Sequence, residues 1–269
     1  MTEANVMENL EQTTIRVHAT KGMNNKRINV VYCLSNKGNM PTEIQNSIST
    51  LLNFISPNNV HVISTPPHID NDLQTELENK GVNLTFKENE TPYFEMRPGK
   101  GGYYGEKLAK LSNIEAENVL LLDCDTQVLD HPRKLFEGDF EVSARVGSGY
   151  LEFNFNIWNR MFNNHGKTPI PMMNSGCVAF KEKSHIPISH AAIKLLNYYR
   201  WPIFHHKRHY DQYALTLASS EYSIKWMSQQ EHAFRWEYEP KNTVIYHGAK
   251  RKPLRGIGVK IMEVINYVT

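Results

Sequence analysis

The feature that most constrains this chain is an alternation of β-branched runs and helical periods. It closes on an unbroken apolar run, Val119-Leu120-Leu121-Leu122, followed at once by Asp123-Cys124-Asp125. Ile28 to Leu34 predicts a strand, because β-branched side chains fit a pleated, half-buried surface, and it stops at Ser35-Asn36-Lys37-Gly38-Asn39. Pro41 and Thr42 open a helix with Ile44, Ile48, Leu51, Leu52 and Ile55 on one face, the spacing of a 3.6-residue period. Val60 to Ser64 predicts a second strand, Asp72 to Lys80 a second helix stopped by Gly81, and Val82 to Phe86 a third strand. Parallel strands need a crossover, so strand and helix alternating with short connections predicts a parallel sheet covered by helices. A loop rich in Pro and Gly, residues 92 to 102, precedes a helix over Tyr103 to Leu111 with Leu108 and Leu111 facing inward. Asn118 to Leu122 lacks polar alternation and predicts a central strand buried on both faces.

In open α/β sheets ligands bind outside the carboxyl ends of the strands, which is where Asp123 and Asp125 fall. Two carboxylates one residue apart repel each other, and a hard divalent cation relieves the repulsion. Oxygen donors point to Mg²⁺ or Mn²⁺ rather than zinc, and such an ion completes its shell with substrate phosphates. The competing reading is a pair of surface turn residues. Asp130, followed by His131-Pro132, reads as the N-cap of a short helix.

The second half is less regular. Strands are expected near Glu141–Arg145 and Cys177–Phe180, helices over Ser189–Tyr199 and Asp211–Ala218, and a strand over Thr243–His247. The aromatic stretch from Tyr150 to Phe162, with Phe153, Phe155, Trp158 and Phe162, reads as core or lid. With no repeat and no linker, the expectation is one α/β domain over residues 27–253, preceded by a tail or cap over 1–26 and followed by an extension over 254–269. A chain of 269 residues can bury about 70–75% of its unfolded surface, so no disulfide or structural zinc is needed.

Composition narrows the function classes. Thirty Lys and Arg against 28 Asp and Glu give a net charge of +2, short of the strongly basic face of a dedicated nucleic-acid binder. Apolar runs are only a few residues long, where a bilayer span needs about 20. The first residues carry Glu3, Glu8 and Glu11 without an apolar signal core. Cys33, Cys124 and Cys177 fit neither a disulfide framework nor a zinc spacing. A cytoplasmic location is therefore expected, with the sequons at Asn83 and Asn89 as chance matches.

Five segments, in order, carry a resemblance. They are Tyr104-Gly105-Glu106-Lys107-Leu108-Ala109-Lys110-Leu111, Val119 through Asp123-Cys124-Asp125 to Leu129, Asn174-Ser175-Gly176-Cys177-Val178-Ala179-Phe180, Asp211-Gln212-Tyr213-Ala214-Leu215, and Ile245-Tyr246-His247-Gly248-Ala249-Lys250-Arg251-Lys252-Pro253. Together they resemble the nucleotide-sugar glycosyltransferases of the GT-A fold, and are most similar to the glycogenin-like retaining family, family 8. Two departures are visible: the family's metal-binding His usually stands one residue further from Lys-Pro, and Trp follows the Pro where this chain has Leu254.

The resemblance implies a GT-A, Rossmann-like, mostly parallel sheet and a metal-dependent transferase that uses a nucleotide-sugar donor, a UDP-sugar, with retention. It implies Mn²⁺ or Mg²⁺ held by Asp123, Asp125 and His247. It implies donor contacts from Asp123, Cys124, Asn174, Ser175, Gly176, Gly248, Lys250 and Lys252, with Lys107 a further candidate and Leu34, Ser35 and Asn36 matching by position. Asp211 and Gln212 would stand at the catalytic centre. Alternatives remain for several of these: a strand-end histidine for His247, a turn for Asn174-Ser175-Gly176, a helix N-cap for Asp211, and a solvated basic run for Lys250-Arg251-Lys252.

A further cluster, His205-His206-Lys207-Arg208-His209, follows Tyr199-Arg200-Trp201. It reads as a basic, aromatic acceptor-side loop, since aromatic faces stack on sugars and cations attract acidic acceptors; a transition-metal site at His205 and His209 lacks a third ligand. Rival functions are a haloacid-dehalogenase-type phosphatase with Asp123 as nucleophile, and a non-catalytic sugar-nucleotide-binding protein. The first expects a Gly before the Thr and its motif on the first strand; the second would lack the metal pair, which this chain keeps. A sugar nucleotidyltransferase would need a Gly-rich phosphate loop, of which Ser35–Asn39 is a poor version.

Overall fold

The protein is described by a computed structural model covering residues 27–36, 38–90, 104–147, 155–198, 210–235, 237 and 243–248. The expected tail over 1–26, the loop over 92–102, Phe153, the cluster His205–His209, Lys250, Lys252 and the extension over 254–269 lie outside the described residues. In chain order the elements are β1 (Ile28–Leu34), α1 (Met40–Leu51), β2 (Val60–Ser64), α2 (Asn71–Asn79), β3 (Asn83–Phe86), α3 (Tyr104–Leu111), β4 (Asn118–Leu122), β5 (Thr126–Val128) and β6 (Val142–Val146). Then follow α4 (Phe155–Asn164), β7 (Met173–Phe180), α5 (His185–Tyr198), α6 (Tyr210–Ser219), β8 (Ile224–Trp226), β9 (His232–Phe234) and β10 (Ile245–His247). No helix among the described residues is long and apolar enough to cross a membrane.

Seven strands form the central sheet in the order β3-β2-β1-β4-β7-β6-β8. β3, β2, β1 and β4 pair in parallel, β7 runs antiparallel to both of its neighbours, and β8 is parallel to β6. Only β7 therefore opposes the common direction, and the sheet is mostly parallel as expected. The strand period of two sorts its side chains onto two faces. Val31, Val119, Leu121, Val178 and Phe180 join one core with residues of α3, α5 and α6, while Val30, Tyr32, Leu120, Leu122, Cys177 and Ala179 join the other with residues of α1 and α2. β4 lies between β1 and β7 and is buried at every residue, so its carboxyl end opens at the middle of the sheet.

Several local expectations are corrected. β7 begins at Met173, four residues before the expected Cys177, because β6 pairs with it past a register shift as far as Val146↔Met173. Asn174, Ser175 and Gly176 are thus inside a strand, and the turn reading for them fails. Asp211 lies within the first turn of α6, so it is not the N-cap. The 3₁₀ helix Pro132–Phe136 is capped by His131, whose Nδ1 accepts from the Arg133 amide at 3.1 Å; Asp130 instead accepts from the His131 amide at 2.6 Å. Trp158 and Phe162 belong to the core, with the Trp158 indole donating to the Ile170 carbonyl at 2.9 Å. α3 buries three charged residues beside Leu108: Glu106, Lys107 and Lys110. Lys110 is paired with Glu90 at 2.6 Å and Glu106 at 3.5 Å and donates to the Glu88 carbonyl, which is how a charged helix face enters the interior.

Leu121 is fully buried at the sheet centre, so Leu121→Ala is expected to cost about 3 kcal/mol, a transfer term plus a residual cavity. Urea unfolding measures it, and a loss below about 1 kcal/mol would contradict the central packing of β4.

Candidate metal centre

The Asp123-Cys124-Asp125 turn is built by the strand before it and by hydroxyls behind it. The Asp123 amide donates to the Gly176 carbonyl at 2.8 Å, extending the β4–β7 ladder one residue past β4. The Asp123 carbonyl accepts from both the Thr126 amide, at 3.3 Å, and the Thr126 hydroxyl, at 2.8 Å. Thr126 Oγ1 in turn meets Ser47 Oγ of α1 at 3.0 Å, and Ser47 Oγ meets Tyr32 Oη of β1 at 2.8 Å. Burial pushes the Tyr32 phenol well above its ordinary pKa, so it stays protonated and can serve as a hydrogen-bond donor. Three hydroxyls from distant parts of the chain therefore fix the turn that carries both carboxylates.

A second, three-stranded sheet brings in the histidine. β10 pairs antiparallel with β5 and parallel with β9, and its register sets His247 opposite Thr126, next to Asp125. The Gly248 amide donates to the Asp125 carbonyl at 2.8 Å, and Gly248 has φ +83°, a left-handed conformation that suits glycine. His247 Nε2 lies 3.2 Å from Asp125 Oδ1 and 3.6 Å from Asp123 Oδ2, and one ligand atom from each of the three residues lies within 4.8 Å of the others. Two carboxylates and an imidazole form a mainly oxygen donor set that fits Mn²⁺ or Mg²⁺.

Burial opposes charge on both His247 and Asp125, and their mutual contact overcomes it. The histidine pKa is raised, first by the Asp125 hydrogen bond and charge and then by Asp123; the Asp125 pKa is lowered by His247. Gly176 makes room for this arrangement. A Cβ there would stand 2.1 Å from His247 Cε1 and 2.8 Å from Asp123 Oδ2.

Beside the triad, Lys107 of α3 reaches Asp123 Oδ1 at 2.8 Å, Asp211 Oδ2 at 3.1 Å and the Ser175 carbonyl at 3.2 Å. Burial disfavours its charge, yet the two carboxylates hold its pKa above the ordinary lysine value. The Ser175 hydroxyl donates to Asp211 Oδ2. Asp211 Oδ1 is buried with no hydrogen-bond partner among the described residues. Asn174 Oδ1 accepts from the Gly176 amide at 2.9 Å, and the buried Gln212 side chain lies beside Gly147.

The structure thus gathers Lys107, Asp123, Asp125, Asn174, Ser175, Gly176, Asp211, His247 and Gly248 around the end of β4. Leu34 and Ser35 are buried at the end of the adjacent β1, and Asn36 is exposed there. Cys124 turns its thiol inward, toward the Cys33 carbonyl at 3.7 Å, so it offers a ligand only its backbone. Sequence reasoning missed Tyr32, Ser47, Thr126 and His232, the last of which places Nε2 3.3 Å from His247 Nδ1. Burial first, then His247 and Arg145, drive the His232 pKa well below its ordinary value. Tyr32, Ser47 and His232 carry no sequence signal, because each meets the site through tertiary contact, whereas Thr126 lies within the turn, three residues after Asp123.

No protein-family model matches the chain, and no curated protein is similar to it in sequence. Solved structures are similar in fold. A galactosyltransferase, LgtC, in complex with donor and acceptor sugar analogues, superposes with a TM-score of 0.60 at 14% identity, covering 89% of this chain and 95% of that one. Mouse xyloside xylosyltransferase 1 gives a TM-score of 0.55 at 14% identity, covering 85% of this chain and 99% of that one. WbbM, a bifunctional glycosyltransferase, gives 0.60 at 12% identity over 86% of this chain, which spans 47% of WbbM. The chain has the GT-A fold of these glycosyltransferases.

Two substitutions probe the centre. Gly176→Ala is expected to push the His247 ring off the carboxylates and weaken Mn²⁺ binding about 10-fold or more, read by electron paramagnetic resonance of free Mn²⁺. Lys107→Met leaves the Asp211 carboxylate buried without its cation and is expected to cost about 3 kcal/mol in urea unfolding; an unchanged midpoint would deny Lys107 its bridging role.

Proposed function

We propose that this protein is a metal-dependent glycosyltransferase that moves a sugar from a nucleotide-diphosphate donor, a UDP-sugar, to an acceptor. The observation that carries the reading is the convergence of Asp123, Asp125 and His247 within 4.8 Å at the carboxyl end of β4, in a GT-A fold.

Transfer breaks the anomeric C–O bond of the donor through an oxocarbenium-like state, by analogy with glycoside hydrolysis, and leaves charge on the departing diphosphate. A divalent cation on Asp123, Asp125 and His247 would supply the charge stabilisation that this leaving group needs. In this reading Lys107 holds Asp123 and Asp211 in place as a fixed cation. Asp211, with Oδ2 occupied by Lys107 and Ser175, offers Oδ1 to a donor-sugar hydroxyl. Asn174 and Gln212 would contact the sugar, and the resemblance gives Gly248, Lys250 and Lys252 to the diphosphate. Leu34, Ser35 and Asn36 border the base at the next strand end. The resemblance to the glycogenin-like retaining family supports retention of anomeric configuration.

Titration with UDP and Mn²⁺ tests the centre. Wild type is expected to bind UDP in a Mn²⁺-dependent manner, and Asp125→Ala to lose that dependence; Mn²⁺-dependent binding that survives the substitution sinks the proposed site. A panel of UDP-sugars then identifies the donor, with ¹H NMR reading the anomer first released. An Asp123-linked phosphoenzyme with a generic phosphate ester would favour the phosphatase instead. Because Asp125 and Asp123 raise the His247 pKa, a proton competes with the cation, so Mn²⁺ affinity is expected to fall as pH is lowered through that pKa. An affinity that is flat from about pH 8 to about pH 5 would remove His247 from the ligand set.

A further inference from the structure

We propose, resting on the metal centre assigned above, that His232 is a positioning residue: its Nε2 accepts the Nδ1–H of His247 and thereby aims the bare Nε2 of His247 at the cation. The two ring planes are within 17° of parallel with centroids 5.4 Å apart, while Nε2 and Nδ1 approach to 3.3 Å. The short contact therefore joins ring edges along a nitrogen–nitrogen line, the geometry of a hydrogen bond.

The tautomers follow from which nitrogen faces what. Nε2 of His247 faces Asp125 and Asp123, so only that nitrogen can ligate, and it must be unprotonated to do so. The ring proton is then on Nδ1, and the partner at Nδ1 must be an acceptor. His232 Nε2 is that acceptor, which leaves the His232 proton on its own Nδ1. This nitrogen is buried with no hydrogen-bond partner among the described residues. As packing alone, an apolar ring would fill the place without leaving a buried N–H unpartnered.

The position of His232 is held independently of His247. β9 pairs with β10 so that His232 stands opposite Ile245 and Phe234 opposite His247. The Arg145 guanidinium donates to the His232 carbonyl, pairs with Glu237 and lies 4.7 Å over the Phe234 ring. Phe234 in turn tilts against both imidazoles, at 4.9 and 5.9 Å. The acceptor is thus fixed by strand pairing and by an ion pair behind it.

The test uses Mn²⁺ alone, with free ion read by electron paramagnetic resonance, on wild type, His232→Phe, His232→Gln and His247→Ala. His232→Phe keeps the shape and removes the acceptor, and is expected to weaken Mn²⁺ binding about 10–100-fold. His232→Gln, whose amide carbonyl can accept, is expected to recover most of that loss. If His247→Ala loses Mn²⁺ while His232→Phe binds like wild type, the positioning role is overturned and the metal centre stands. If His247→Ala also binds like wild type, the histidine is no ligand and the centre itself fails. The ¹⁵N imidazole spectrum of the Mg²⁺-loaded wild type decides even where a variant does not fold. Protons on Nδ1 of both His247 and His232 are expected, and a proton on His247 Nε2 overturns the proposal.

Discussion

Three carboxylates, Asp123, Asp125 and Asp211, meet where β4 ends, and the Lys107 ammonium is the charge on which their coexistence depends. Asp211 is 1% exposed and Lys107 5%. A buried carboxylate without a cation is severely disfavoured, and removing one partner of such a pair costs far more than the pair contributes when intact. Lys107 touches two of the carboxylates and a backbone carbonyl at once, which ties α3 to β4, β7 and α6. The third carboxylate, Asp125, lies outside this bridge and is balanced by His247. The centre is thus divided into a closed half around Lys107 and a half whose ligand atoms can take a cation.

Rigidity comes from elements with no chemical part to play. The hydroxyls of Thr126, Ser47 and Tyr32 link the carboxylate turn to α1 and β1. Such a relay is worth having only when each member is satisfied, because a low-dielectric interior penalises an unpaired hydroxyl as much as it strengthens a paired one. The small sheet of β5, β10 and β9 does the corresponding work for His247, and Gly176 leaves open the space that the imidazole fills. Ligands separated by 122 residues therefore hold one geometry through backbone pairing.

Much of the first half was legible. The five elements from β1 to β3 and the buried run of β4 follow from periods of 2 and 3.6 and from Gly, Pro and Asn punctuation. The Asp-x-Asp at the carboxyl end of β4 was readable as a candidate site from its place alone. Less was legible beyond it. β5, β8 and β9 are three residues each, too short to show a period. β7 could be read only from Cys177 onward, since Asn174-Ser175-Gly176 has turn composition and becomes strand through pairing with β6. The burial of Glu106, Lys107 and Lys110 has no signal in the helical period, and partners such as Glu90 and Asp123 from outside α3 are what make it tolerable.

By itself the sequence determined a parallel sheet covered by helices, and two carboxylates at the end of its central strand. Those are consequences of local period and composition, which a linear pattern records. The tertiary structure decided the rest. It brought His247, which the resemblance had named, onto the two carboxylates by the register of β10 against β5, and made Lys107 the bridge by packing α3 over β4. It set His232 behind His247 through the pairing of β9 with β10. Each of these contacts joins residues far apart in the chain, and the physical terms that select them, strand register and the pairing of buried charge, act only once the backbone has closed around them.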